Sequence, residues 1–147
     1  MTTRAAPLDL DGRVLRARLR RIRELLGAVP ALGRIDPPRL VDEPVTALAA
    51  ERLLTVLVEL AFACNRDVAI GVLGRAPAGY PESFDLAAQA GLISAELAAR
   101  LRPSAELRDV LVLDAAPGRV ALAVPLAPAL YGAYVAQAGA FLAERAT

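Results

Sequence analysis

Between Pro44 and Gly71 the chain contains neither proline nor glycine, and that uninterrupted interval limits the available folds more than any other feature. Asp42 is placed to cap a helix whose first turn holds Pro44, where a missing N–H costs little. Nothing stops this helix before Gly71 or Gly74, so the element predicted is roughly 30 residues and ~45 Å long. Leu48, Leu53, Leu54, Val56, Leu57, Leu60, Phe62 and Ala63 spread over more than one stripe of its surface. Such a helix has to be covered on several sides, as the spine of a bundle.

The rest of the chain supplies the cover. Asp9 and Asp11 precede Val14, Leu15, Leu19, Ile22, Leu25 and Leu26, a 3.6-period set ending at Gly27 with Pro30 beyond it, which predicts a first helix. Residues 33–38 read as loop. After a turn-rich connection from Gly74 to Pro81, a short helix holds Phe84, Leu86 and Ala87 and stops at Gly91. Ser94 caps another helix over 95–101, Pro103 interrupts it, and Ser104 caps a further turn leading into Leu107, Arg108 and Asp109. Residues 110–124, two apolar runs around Asp-Ala-Ala-Pro-Gly, fit helix or a short β-hairpin. The expectation is a single all-α domain over 1–147 with about five helices, that hairpin as the one strand alternative, and a flexible segment at 1–10.

Residues 120–143 are free of charge and long enough to span a bilayer. Nine alanines, two glycines, Pro125, Pro128 and Gln137 make the run poorly suited to insertion and predict a kinked helix. Its residues Ala129, Gly132, Ala133, Ala136, Gly139, Ala140 and Ala143 share one side, smooth enough to dock a helix of the same subunit or of a symmetry mate. A membrane-associated helical protein is therefore one alternative. No secretory-length apolar segment stands at the N-terminus, so a cytoplasmic location is expected.

Composition narrows the chemistry. The sequence has no histidine, which excludes Ser-His-Asp triads, Cys-His pairs, histidine-ligated zinc and imidazole acid–base catalysis. Its 17 basic residues are all arginine, so Schiff-base and P-loop lysines are excluded as well. A net charge of +1 argues against strong nonspecific nucleic-acid binding by the whole surface. The single cysteine, Cys64, has no partner within the chain and reads as a small buried hydrophobe. Ser83, Ser94 and Ser104 sit at capping positions with no base to activate them. No ligand cluster or phosphate-loop spacing is present, so neither a metal nor a cofactor is expected. On the first helix Arg13, Arg16, Arg20 and Arg23 form a stripe opposite the apolar face. That stripe reads as a solvated face or as a contact for RNA phosphates or an acidic partner protein.

The middle of the chain resembles a known family. Glu51-Arg52-Leu53-Leu54 on a long helix, then Asn65, Pro77 with Tyr80 and Phe84, Ala90-Gly91-Leu92-Ile93, Leu97, Leu101, and Arg108-Asp109-x-Leu111-Val112 together resemble the HepT family over roughly residues 12–143. The resemblance implies a HEPN-like helical bundle, a ribonuclease toxin that forms a two-fold homodimer, and pairing with a MntA-like minimal nucleotidyltransferase antitoxin. It also implies a metal-independent mechanism in which an arginine holds the scissile phosphate and a histidine about five residues later moves the proton. Arg108 matches that arginine, Asp109 takes the place of the following asparagine, and Val112 matches the valine. Leu113 stands where the histidine belongs, and Ala115 stands where the partner's target tyrosine belongs.

A leucine moves no proton, and a positioned acid–base group contributes ~10² to 10⁴ in rate. Asp109 and Asp114 are the only titratable groups near it in sequence. The resemblance therefore points to a toxin–antitoxin component of ribonuclease ancestry that is catalytically impaired, with Arg108 and Asp109 as motif remnants. It would act by binding RNA, an antitoxin or an active paralogue. The alternative within the family is an active ribonuclease toxin neutralised by its nucleotidyltransferase.

Overall fold

A computed structural model describes residues 10–145. The expectation for residues 1–10 falls, apart from Leu10, outside that range, and Leu10 itself packs against the core. Six α-helices follow in order: α1 (Gly12–Ala28), α2 (Pro37–Asp42), α3 (Pro44–Val68), α4 (Tyr80–Gln89), α5 (Ala95–Leu111) and α6 (Pro117–Arg145). One 3-10 turn, Val29–Leu32, extends α1, and a wider π turn, Ala69–Leu73, extends α3. No strand occurs among the described residues, so the architecture is all-α.

Helix α3 is the spine that its sequence predicts. Helices α1, α2, α4, α5 and α6 all pack against it, burying Leu53, Leu54, Leu57, Val58, Ala61 and Val68 among others. With its π turn it runs to Gly74, whose φ of +69° closes the C-terminus in the left-handed region that favours glycine. Helix α1 begins as expected: the Asp11 side chain accepts from the Arg13 N–H at 3.0 Å. It buries Leu15, Leu19 and Ile22 and turns its arginine stripe outward.

Three expectations need correction. The hairpin at 110–124 does not form, because its two apolar runs belong to different helices. The first ends α5, and the second contributes Val120 and Val124 to the buried side of α6. Between them the Leu113 and Asp114 N–H groups bond back to the Val110 carbonyl, Ala116 turns the chain at φ 45°, and Pro117 starts α6. Nor does Pro103 interrupt α5. Pro103 and Ala99, whose carbonyl the proline cannot serve, are both exposed residues, a position where solvent can serve a carbonyl that lacks its intrahelical donor. Ser104 is accordingly no cap: its hydroxyl donates to the Leu101 carbonyl at 2.6 Å and meets the Tyr131 hydroxyl at 2.7 Å.

The third correction adds a helix, raising the count from about five to six. Part of the stretch read as loop is the start of α2, where Asp36 accepts from the Arg39 N–H at 3.0 Å and Pro37 and Pro38 fill the first turn. Asp42 then ends α2, and Glu43 occupies the N-cap position of α3.

Helix α6 packs along α1, α2, α3 and α5 and buries Tyr131, Tyr134 and Phe141. It is long and apolar enough to cross a membrane by length and composition, and a third of its most apolar window is buried within the bundle. Its small-residue side is not a contact with another helix of this chain at Gly132 or Gly139, where an added Cβ would meet nothing within 4 Å. Ala129, Ala136, Ala140 and Ala143 on the same side are exposed.

Candidate functional site

The site gathers around Arg108, in the last turn of α5. Its guanidinium lies over the Tyr80 ring, 4.1 Å from the centroid, a cation–π contact that ties α5 to the first residue of α4. Tyr80 in turn stacks on Phe62 of α3, with centroids 4.3 Å apart. Two carboxylates flank the guanidinium: Glu59 Oε2 on α3, 3.6 Å from Nη2, and Asp109 Oδ1, 3.4 Å from Nη1. The Nε–H is buried and has no acceptor. Arg108 is thus only 24% exposed, and its charge is countered on both sides.

The platform beneath is held by a buried polar chain. The Tyr134 hydroxyl on α6 donates to Asn65 Oδ1 at 2.7 Å, with the Ala61 carbonyl 3.2 Å away. Asn65 Nδ2 donates to the Ser83 hydroxyl at 3.1 Å, and that hydroxyl donates to the Tyr80 carbonyl at 2.7 Å. Asn65 and Ser83 are fully buried, so the chain satisfies groups that would otherwise be costly in the core. It runs from α6 through α3 to the backbone of the residue that carries Arg108.

The other motif positions lie apart from this cluster. Leu113 is 87% exposed, in the turn that follows α5, and Val112 beside it is 64% exposed. Asp114 spends its carboxylate on the Ala115 N–H at 2.8 Å. Arg13, Arg16, Arg20 and Arg23 are all exposed on α1; Arg13 faces Asp11 at 3.8 Å, and the other three have no ion pair among the described residues. Of the two remaining arginines of α1, Arg21 pairs with Glu24 at 3.4 Å, and Arg18 turns inward and bonds Asp67 of α3 at 2.7 Å. Burial would lower its pKa, but the Asp67 contact outweighs it and the net direction is up.

Cys64 is buried, and burial pushes its thiol up to about 11 against the opposing influence of Arg18. A thiol so placed is a poor nucleophile, in keeping with its reading as a core residue. Among the described residues no group of histidine, cysteine or acidic side chains is arranged to hold a metal.

Sequence reasoning missed Glu59 and Phe62 as members of the site, and it gave Tyr80 no role beyond the resemblance. Glu59 lies on the spine helix and meets Arg108 only through the packing of α3 on α5, which no local spacing announces. A second concavity lies between α5 and α6. It encloses about 300 Å³ over Leu54, Leu107, Leu122, Leu126 and Tyr131, with Arg100 and Arg119 also on its walls.

No curated protein matches the chain. The family described as HepT-like ribonuclease matches residues 15–114, a stretch that runs from α1 to the turn after α5 and includes Glu59, Tyr80, Arg108 and Leu113. With that match over more than half its length and an all-α bundle, the chain belongs to the HepT-like ribonuclease family.

Proposed function

We propose that this HepT-like chain is the impaired, pseudo-ribonuclease member of a toxin–antitoxin pair and acts by binding protein. The observation that carries the reading is the state of Arg108. Its guanidinium faces Glu59 and Asp109, so the three groups sum to one negative charge, and an approaching phosphate is repelled rather than drawn in. At position 113 a leucine supplies no proton transfer. The family's two chemical functions, phosphate binding and proton movement, are therefore both unsupported at this site.

Exposed apolar residues supply what binding needs. Leu113, Val112, Leu122 and Leu126 are large hydrophobics open to solvent near the α5–α6 turn, an arrangement that marks interaction surfaces. The partner placed there is a second copy, giving a homodimer, with a MntA-like nucleotidyltransferase antitoxin or an active paralogue as the heterologous partner. Helix α6 serves as a core helix of a cytoplasmic protein in this reading, since it packs along four other helices. A second reading, RNA binding, is favoured by the exposed cations Arg16, Arg20 and Arg23 on α1, which have no ion pair among the described residues.

The test is a ribonuclease assay on the purified wild-type chain alongside light scattering. The expected result is a dimer without cleavage. Robust cleavage abolished by Arg108→Ala would overturn the reading in favour of the active toxin, and recovery of the chain only in membranes would favour the membrane alternative.

A further inference from the structure

We infer that Glu59 is the specificity-determining residue of the Arg108 site: its carboxylate stands where an anion would otherwise bind and so keeps phosphate off the guanidinium. The inference rests on the non-catalytic reading of the site and names the residue responsible for half of it.

A guanidinium binds a phosphate through two N–H groups along one edge. Both terminal nitrogens of Arg108 face a carboxylate. Glu59 faces Nη2 at 3.6 Å, Asp109 faces Nη1 at 3.4 Å, the Tyr80 ring covers one face, and Nε is buried without an acceptor. A phosphate must therefore displace one of the carboxylates. Asp109 yields readily, because its side chain is 51% exposed and lies at the end of α5, from which it can swing into water. Glu59, carried by the neighbouring α3, is the less exposed of the two at 36%, so its carboxylate is the more confined. At 3.6 Å its contact is an ion pair beyond hydrogen-bond distance, so it excludes anions by charge and position more than by bond strength.

The experiment measures binding of a short fluorescein-labelled oligouridylate by anisotropy, for the full chain and its Glu59→Gln variant. Glutamine keeps the shape and removes the charge. Affinity should rise roughly fivefold to tenfold, and the logarithmic salt slope should steepen by about 0.7, one phosphate's share for a single strand. Both gains should vanish in the Glu59→Gln, Arg108→Ala double variant. Unchanged affinity in a folded Glu59→Gln protein overturns the inference, as does a gain that persists without Arg108. If Glu59→Gln does not fold by circular dichroism, Glu59→Asp takes its place. That shorter carboxylate retreats from Nη2, and a smaller gain is expected; no gain overturns the inference. Cleavage by the wild-type chain would sink the non-catalytic reading instead, so the two failures are told apart.

Discussion

Tyr134 on α6 and Asn65 on α3 share a hydrogen bond of 2.7 Å at positions that are both fully buried. Removing the hydroxyl leaves Asn65 Oδ1 with no partner in a place that water does not reach. Tyr134→Phe should therefore cost about 1–3 kcal/mol, read as a lower denaturant midpoint at unchanged slope. Asn65→Leu combined with Tyr134→Phe should cost less than the two single changes together, because the stranded group disappears. Strict additivity would show that the pair is not energetically coupled.

Cys64 gives the stability curve a defined alkaline limb. Burial pushes the thiol from 9.0 to about 11, so the folded chain holds this proton more tightly than the unfolded chain does. The contribution is complete below pH 9 and is lost as pH rises toward 11, amounting to about 2–3 kcal/mol. Tyr131 and Tyr134, also raised by burial, extend the loss to higher pH. Denaturant unfolding across this window should show the wild type losing more stability than Cys64→Ala. Parallel curves would refute the assignment.

On the RNA-binding reading, the arginine stripe of α1 should carry the affinity of the unmodified protein for RNA. Replacing Arg16, Arg20 and Arg23 by glutamine removes three exposed cations that have no acidic partner among the described residues, and the logarithmic salt slope should fall by about 2. Since the three side chains are exposed, thermal stability should stay within about 0.5 kcal/mol of wild type. An unchanged slope would assign these arginines to a purely solvated face.

Those features differ in how openly the sequence displays them. The spine helix was legible because an interval without proline or glycine, densely apolar, has no other low-energy arrangement, and the Asp11 and Ser94 caps were legible because capping is local. Helix α2 was readable in principle from Asp36-Pro37-Pro38, a capping residue followed by two residues suited to a first turn. Pro103 misled because the cost of a helical proline depends on whether the freed carbonyl faces water, which is a property of the packed bundle. The site divides in the same way. Arg108 and Leu113 were picked out by the resemblance to the HepT family's motif, whereas Glu59 and Tyr80 meet Arg108 only after α3, α4 and α5 have packed.

Gly132 and Gly139 separate two faces of α6 as the seat of self-association. Both are helical, and a Cβ at either would meet nothing within 4 Å, so each change to alanine should stabilise the fold by up to about 1 kcal/mol through helix propensity alone. If the second copy docks at the α5–α6 end, through Leu113, Leu122 and Leu126, these alanine variants should be more stable and still dimeric. Leu126→Arg, which places a charge on the exposed apolar surface, should instead yield monomers at micromolar concentration without a comparable loss of helix content. The opposite pattern, monomers from the glycine variants and dimers from Leu126→Arg, would move the interface to the small-residue side, where close backbone approach requires the absence of a Cβ. Light scattering with circular dichroism on the same samples distinguishes the two, because a merely unfolded variant loses helix signal and a dissociated one does not.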